Sequence, residues 1–315
     1  MKKLTMITAC FLATILSSSC AHTYKDLSDS SYLSFASEPA IRVKVSGSRR
    51  IKSKIIEIPI ETYLAGVIGH EMSPRWPAEA LKAQTVAARS YALYQMQQAH
   101  ASGRRYDVVD TQADQVFKES GTHNAHLADI VNQTHGQVLW KKGRIVQAFY
   151  SSTCGGKSET AAGAGFSLRS PLKYSQNDKF CSASPFRSWS VYLTPREIAA
   201  RMKRYGYNTK NLRSLRVKNK NPSGYAQTLE YKDDFGRHEI NASTFRRLAG
   251  NMRVKSLLFD IHTDATGLFV VTGNGFGHGV GLCQYGAKEM ALQATDYKKI
   301  LKQYYKKIPI KKLYN

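Results

Sequence analysis

The sequence contains no uncharged apolar run of the ~18 residues that a membrane-spanning helix requires, which excludes a multi-span membrane protein. It has no internal period either, which excludes a repeat array. Acidic residues are scarce: 23 Asp and Glu stand against 46 Lys and Arg, for a net charge of +23. That excess favours anionic partners, among them nucleic acids, acidic lipid headgroups and cell-wall polymers. Aromatic residues are plentiful, with 18 Tyr and 12 Phe, which excludes a mainly disordered chain.

The first 20 residues have the layout of an export signal. A basic start at residues 1–3 is followed by an apolar stretch at 4–16 and by small residues before Cys20. A cysteine in that place resembles the lipid-attachment site of bacterial lipoproteins, although Leu16 lies one position further from it than usual. We therefore predict an exported protein of the periplasm or cell envelope, lipid-anchored through Cys20, with plain secretion as the alternative. Residues 21–40 are predicted as a linker, 41–308 as the folded domain and 309–315 as a tail.

Cysteine is rare, with five in the chain. Cys10 falls inside the predicted signal and Cys20 is the predicted anchor, which leaves Cys154, Cys181 and Cys283 in the folded body. In an exported protein, Cys154 and Cys181 are predicted to form a disulfide. Zinc at this pair is the less favoured alternative, because no histidine lies at a suitable spacing. Cys283 is then expected to be a lone, buried thiol, and no cofactor is predicted.

The pattern of elements predicts an α+β fold, with helices interleaved among antiparallel strands. Alternation at residues 41–46 and 52–60 indicates strands, and the period then changes to that of a helix over 61–72. On this helix Leu64, Val67, Ile68 and Glu71 share one face. A carboxylate on an apolar stripe is costly unless it is paired or its pKa rises, which makes Glu71 the most informative single residue in the chain. The structural alternative is a helix-end glutamate that reaches solvent or a nearby arginine, such as Arg75 or Arg89.

Two further segments combine glycine with polar side chains. Residues 151–156 place hydroxyl groups and glycines directly after a strand, which suits a polar substrate site or a tight turn. Six of the 15 residues at 273–287 are glycine. His278 lies in the middle of this segment, and Gln284 and Tyr285 follow it. No Gly-Lys-Ser/Thr ending follows, which excludes a P-loop. A histidine between glycines has an exposed ring for hydrogen bonding or proton transfer, or else is buried in a packed turn.

Four ordered blocks resemble the stage II sporulation protein D family, also called SpoIID/LytB. They are Tyr63-Leu-Ala-Gly-Val-Ile-Gly-His-Glu-Met72 with the alanine-rich helix after it, Asp110-Thr-Gln with Gln115-Val-Phe117, Tyr150-Ser-Ser-Thr-Cys-Gly-Gly156, and Gly275-Phe-Gly-His-Gly-Val-Gly with Gln284-Tyr-Gly-Ala287. The sequence departs from the family at Ser73, Phe117 and Cys283. The resemblance implies a two-lobed body with a substrate cleft, and it places the catalytic glutamate of the family on Glu71.

Members of the sporulation type are lytic transglycosylases, which cleave peptidoglycan glycan strands that an amidase has stripped of peptides. The resemblance implies that Glu71 protonates the glycosidic oxygen between N-acetylmuramic acid and N-acetylglucosamine, and that the 6-hydroxyl of the muramic acid then closes a 1,6-anhydro ring. The candidates for glycan binding are Gln115, Ser151, Ser152, Thr153, His278, Gln284 and Tyr285. Other members are amidase enhancers, so a non-catalytic partner of an N-acetylmuramoyl-L-alanine amidase is the rival hypothesis, ahead of a glycan-binding scaffold. No nucleic-acid partner is expected.

Overall fold

The computed structural model describes residues 36–47 and 52–315. Within these ranges the chain forms seven α-helices: α1 Ile60–Glu71, α2 Ala78–Ala101, α3 Ala125–Asn132, α4 Pro195–Arg204, α5 Ala242–Ala249, α6 Gln284–Leu292 and α7 Tyr297–Tyr304. It also forms 14 strands: β1 Ala40–Val45, β2 Lys54–Pro59, β3 Val108–Val109, β4 Gln137–Lys141, β5 Arg144–Ile145, β6 Tyr150–Ser151, β7 Trp189–Leu193, β8 Ser214–Lys220, β9 Ala226–Asp233, β10 Gly236–Asn241, β11 Phe259–Thr263, β12 Phe269–Gly273, β13 Leu282–Cys283 and β14 Ile310–Lys312. Two 3₁₀ turns, Glu119–His123 and Phe180–Ala183, complete these elements.

The described strands form five small sheets, ordered β2-β1-β3, β10-β9-β8, β11-β12-β7, β13-β6 and β14-β4-β5. Pairing is antiparallel except at two short contacts, β1 with β3 and β13 with β6. Helices and mainly antiparallel strands alternate along the chain, which confirms the predicted α+β class. The β13–β6 contact matters for function, because it places Cys283 opposite Ser151 and so joins the two glycine-rich segments.

The apolar side chains are buried in two clusters. One combines α1, α2, α3 and β4 with the C-terminal helices α6 and α7, and the other lies among residues 193–271. Helix α2 is the centre of the first cluster, since its small residues Ala80, Ala83 and Ala87 are fully buried. Small side chains allow close packing of α2 against its neighbours. The substrate cleft expected between two lobes stays a prediction.

The two ends of the described chain both contact α1. The Ile60 N–H donates to the Pro39 carbonyl at 3.0 Å, and the Glu61 N–H donates to the Glu38 carboxylate at 2.9 Å. Residues 309–315, expected as a tail, contribute strand β14, which pairs with β4. Tyr314 is buried and donates its hydroxyl proton to Glu61 at 2.7 Å. Residues 309–315 are therefore part of the folded body, because their strand and their tyrosine close the first core.

The predicted export signal and the lipidation site Cys20 lie outside the described residues. Among the residues that are described, no helix has both the length and the apolar character needed to cross a membrane.

Candidate functional site

Glu71 is the last residue of α1, and its carboxylate is held by the protein backbone. Leu64, Val67 and Ile68, which share its helix face, are fully buried, whereas Glu71 itself is half-buried. The Val116 N–H donates to Glu71 Oε1 at 3.0 Å. Neither Arg75 nor Arg89 forms an ion pair with Glu71 in the described part of the chain. Arg89 binds Glu61 at the other end of the helix, and Arg75 is exposed. Glu71 thus meets an uncharged donor and lies at the edge of an apolar core.

Burial raises the pKa of Glu71 above its ordinary value. The hydrogen bond from the Val116 N–H, the nearby Gln284 amide and the charge of His70 partly oppose this effect. A carboxyl group whose acid form is favoured by its surroundings can donate a proton and then accept one, which is general acid–base catalysis. No other carboxylate contributes to raising this pKa within the described part of the chain. The site therefore presents a single acid rather than a coupled pair.

The loop that carries Val116 is tied to helix α2. Asp114 accepts hydrogen bonds from the Tyr91 hydroxyl at 3.0 Å and from the Gln95 amide at 2.8 Å, and it also accepts from the Val109 N–H. On the other side, Gly66 lets the loop approach α1, because a Cβ at that position would lie 2.5 Å from the ring of the loop residue Phe117. These contacts fix the direction in which the Val116 N–H points.

Gln115 lies behind the acid rather than in front of it. The side chain is fully buried, its Oε1 accepts from Tyr63 at 3.0 Å and its Nε2 donates to Tyr150 at 2.8 Å. A further bond runs to the Ala88 carbonyl. Both ends of the amide are thus occupied within the protein, which corrects the expected glycan contact. Gln115 instead holds two tyrosines and the loop that positions Val116.

His278 is fixed within the glycine-rich loop. Its Nδ1 accepts from the Val280 N–H at 3.0 Å, and its ring lies edge-on to Phe149 and Phe166. Burial lowers the pKa of His278 to about 4, although a hydrogen bond with the Tyr150 backbone favours the charged form. The ring is therefore neutral at pH 7 and its nitrogens serve the backbone. The structural alternative of the sequence analysis describes His278 better than a proton-transfer role.

The hydroxyl groups of the 151–153 segment differ in their availability. Thr153 was a candidate for glycan binding, but it is buried and its Oγ1 lies 2.7 Å from Ser184 Oγ. Its hydroxyl group is therefore occupied within the protein. Ser151 is also buried and packed against Gly277, and its Oγ makes no hydrogen bond with the described part of the chain. Ser152 is half-exposed, and its carbonyl accepts from the Tyr285 N–H at 3.1 Å. Ser152 remains the candidate of this segment that lies nearest to solvent.

Gln284 and Tyr285 open helix α6 beside the acid. Gln284 is 5% exposed, and its amide favours the ionised form of Glu71. Its Nε2 makes no hydrogen bond within 3.5 Å to any residue that the structure describes. A buried amide donor without a partner is costly, so it is a candidate donor to a bound ligand. The fold thus brings Gln284 next to Glu71, although the two residues are more than 200 positions apart in the chain.

An aromatic surface next to Gln284 was missed by the sequence analysis. The rings of Trp76 and Tyr285 meet edge to face with centroids 4.9 Å apart, and Phe186 lies 6.2 Å from Tyr285. Lys288 Nζ lies 5.2 Å from the Trp76 ring. All of these side chains are half-buried, so each keeps part of its surface open. Trp76 stands five positions after Glu71 in a proline-bounded turn, but the pairing with Tyr285 depends on the tertiary fold.

The cysteines are not arranged as the sequence analysis predicts. Cys154 Sγ and Cys181 Sγ lie 3.6 Å apart, whereas a disulfide requires about 2.05 Å, so the expected bond is absent. Cys283 is not a lone thiol, because its Sγ accepts from the Cys154 N–H at 3.3 Å. Asp178 joins them, and the ligand atoms of all four side chains lie within 4.8 Å of one another. Asp178 and Cys283 join the predicted cysteine pair only through the tertiary fold.

Comparison with known proteins agrees with the blocks noted in the sequence. A family model described as "Stage II sporulation protein" matches residues 49–140, and one described as a domain of unknown function (DUF8618) matches residues 167–281. An uncharacterized protein of Brachyspira hyodysenteriae is 34% identical over 254 residues, covering 81% of this chain and 67% of the relative. Stage II sporulation protein D of Bacillus amyloliquefaciens is 29% identical over 295 residues, covering 87% of this chain and 81% of the relative.

A third relative carries a different name. The amidase enhancer of Bacillus subtilis is 27% identical over 290 residues, covering 77% of this chain. The match spans only 39% of that longer relative.

Proposed function

The chain belongs to the stage II sporulation protein D family, and from that premise we propose that it acts on the bacterial cell wall as a lytic transglycosylase. Membership of the family and the similarity to an amidase enhancer both support a role connected with the cell wall. The observation that carries the finer proposal is Glu71, a carboxyl group whose pKa is raised by burial and whose hydrogen-bond partners are uncharged.

In this proposal Glu71 donates its proton to the glycosidic oxygen between N-acetylmuramic acid and N-acetylglucosamine, and the bond from that oxygen to C1 breaks. The 6-hydroxyl of the same muramic acid attacks C1, and its proton passes to Glu71. The product is a 1,6-anhydro sugar, and the acid returns to its starting state. Ordinary retaining and inverting glycosidases use two carboxyl groups, whereas an internal nucleophile removes the need for the second. The single acid of this site fits such a reaction.

The surroundings of Glu71 suggest how a glycan is held. The unpartnered Nε2 of Gln284 is placed to donate to a sugar oxygen near the acid. Trp76 and Tyr285 offer the apolar, polarisable surface on which a sugar ring packs. The net charge of +23 favours association with the anionic polymers of the cell wall. These contacts, with Ser152, form the proposed glycan-binding surface.

The test is digestion of purified peptidoglycan, with and without amidase pretreatment, followed by mass spectrometry of the released fragments. We expect 1,6-anhydro products from the wild type, and a rate lower by about 10²–10⁴ for Glu71→Gln, which removes the proton donor without changing the size of the side chain. Glu239→Gln is the matched control, since Glu239 is exposed on β10, which packs in the other apolar cluster from α1. Equal rates for wild type and Glu71→Gln would contradict the proposal.

The similarity to a protein named amidase enhancer supports a second candidate function. In that case the chain binds the wall and stimulates an N-acetylmuramoyl-L-alanine amidase without cleaving glycan itself. The same digestion separates the two. Faster release of stem peptides by an added amidase, equally with wild type and Glu71→Gln and without anhydro products, favours the enhancer.

Either function requires the protein to reach the wall. We therefore propose that it is exported and held in the cell envelope through a lipid on Cys20. Globomycin treatment of cells that produce the protein is the test, because an inhibitor of lipoprotein signal cleavage leaves a heavier, unprocessed form. An unchanged mass after treatment would favour plain secretion.

A further inference from the structure

Three chain segments that are distant in sequence bring three thiols and one carboxyl group into a single buried cluster. Cys154 follows β6, Asp178 and Cys181 lie at the 3₁₀ turn Phe180–Ala183, and Cys283 ends β13. Each is at most 2% exposed. We propose that these four side chains bind one zinc ion, which stabilises the fold beside the candidate active site and is independent of the glycan chemistry proposed above.

The distances fit a four-coordinate ion. In a tetrahedral zinc site with Zn–S bonds of about 2.3 Å, neighbouring sulfur atoms are about 3.8 Å apart. Cys154 Sγ and Cys181 Sγ are separated by 3.6 Å, and Cys154 Sγ lies 3.2 Å from Asp178 Oδ2. The ligand atoms of the whole set lie within 4.8 Å, so the longest separation needs to shorten by only about 1 Å for a tetrahedron with these bond lengths.

The kind and number of ligands favour zinc over a disulfide. A disulfide uses two sulfur atoms and leaves the third thiol and the carboxyl group buried together without a function. Three thiolates and one carboxylate form a complete, closed set of four ligands, as structural zinc sites have. Soft thiolate ligands also disfavour magnesium and calcium, which prefer oxygen.

The groups around the cluster orient the ligands as outer contacts do in metal sites. The Phe180 N–H donates to Asp178 Oδ1 at 2.9 Å, and the Tyr304 hydroxyl donates to Asp178 Oδ2 at 3.0 Å. The Cys154 N–H donates to Cys283 Sγ at 3.3 Å. Ligand-orienting hydrogen bonds of this kind commonly contribute 10–100-fold, roughly, to metal affinity. They hold the carboxylate and one sulfur in the directions that a shared ion requires.

The position of the cluster indicates what the ion stabilises. Cys283 directly precedes Gln284, whose amide faces Glu71, and Cys154 directly follows the 151–153 segment. The β6–β13 contact between these segments is only two residue pairs long. An ion that binds both strands' ends, and the 3₁₀ turn as well, stabilises this short contact and thereby the position of Gln284.

The test is elemental analysis of the full chain, purified without chelators or added reductant, together with differential alkylation and peptide mapping of the cysteines. We expect about one zinc per chain, with Cys154, Cys181 and Cys283 all reduced and protected from alkylation until the metal is removed. A cross-linked Cys154–Cys181 peptide without zinc would overturn the proposal, and so would three free thiols in a metal-free folded chain.

Two variants make the test independent of folding failure. Cys283→Ser removes one ligand but keeps the pair that a disulfide needs, so zinc is lost only if the metal site is real. Tyr304→Phe keeps all four ligands and removes one outer hydrogen bond, and we expect it to bind zinc about 10–100-fold more weakly in competition with a chelator. Ser182→Ala, at an exposed position beside Cys181, is the matched control and should bind zinc as the wild type does. Unchanged affinity in Tyr304→Phe would contradict the outer-contact argument.

Discussion

The ion pair between Arg89 and Glu61 makes the stability of helix α1 open to a quantitative test. The Arg89 side chain is fully buried and that of Glu61 is 12% exposed. Arg89 Nε and Nη2 donate to the two carboxylate oxygens at 2.9 and 2.5 Å, and Nη1 donates to the Gln137 carbonyl at 3.0 Å. Glu61 also accepts from Tyr314, which joins the C-terminal strand to the same pair.

The perturbation is Glu61→Gln, which keeps the shape of the side chain and removes its charge. The guanidinium of Arg89 is then left charged in the core with only neutral acceptors. Breaking a buried ion pair from one side typically destabilises a protein by about 3–5 kcal/mol. For a chain of this size each kcal/mol lowers the melting temperature by about 2–4 °C, so we expect a decrease of roughly 6–20 °C.

Thermal unfolding followed by circular dichroism, checked by urea denaturation, measures the effect. Glu239→Gln is the matched control, because it removes a charge from an exposed ion pair with Lys218, and such pairs contribute little. The double variant Glu61→Gln/Arg89→Met should cost less than the sum of its single variants, since it leaves no unpaired charge. If Glu61→Gln lowers the stability no more than Glu239→Gln does, the buried pair does not hold α1 against α2, and the reasoning is refuted.

Three further predictions concern the surroundings of the candidate acid. Glu71→Gln should stabilise the protein at pH 7. Because the pKa of Glu71 is raised on folding, its contribution to wild-type stability is fully present below the ordinary value of 4.5 and is lost as pH rises through the folded-state pKa. Melting temperatures measured against pH should therefore converge for the two proteins in acid, and a variant less stable than wild type at pH 7 would contradict this. Gln115→Leu leaves the hydroxyls of Tyr63 and Tyr150 without their partner and should cost about 1–3 kcal/mol in urea denaturation, an unchanged midpoint being the contrary result. Gly66→Ala introduces a Cβ 2.5 Å from a ring carbon of Phe117 and should lower the free energy of unfolding by about 1–3 kcal/mol. It should also slow any reaction that depends on Glu71, and full activity would show that the position of the loop is not critical.

The elements near the site were largely predictable because local patterns define them. The change from alternation to a helical period places a helix over 61–72, and the structure has it at Ile60–Glu71. In the other core cluster, a threonine followed by proline is a typical helix start, and the Thr194 side chain caps α4 by accepting from the Glu197 N–H at 3.0 Å. Caps and periods depend on neighbours in sequence, so a single chain is enough to read them.

The partners of the site residues were not predictable in the same way. Gln115, Thr153 and His278 have the chemistry of ligand-binding residues. Gln115 and Thr153 are nevertheless hydrogen-bonded to side chains from other segments, and His278 is bonded to the backbone of its own loop. Trp76 lacked any signal in sequence that it would meet Tyr285. The type of a residue determines which groups its side chain can bind, but the fold determines which of those groups lie close enough to bind it.

By itself, the sequence determined the helix that carries Glu71, its position on an apolar face and the blocks that identify the family. Each depends on residue identity and short spacings, which physical chemistry relates directly to local structure. Only the tertiary structure decided that the Val116 N–H and the Gln284 amide meet this carboxylate, and that Asp178 and Cys283 join the two predicted cysteines. Those contacts join segments far apart in the chain, and their geometry follows from how α1, α2 and the β6–β13 contact pack together, which no local pattern encodes.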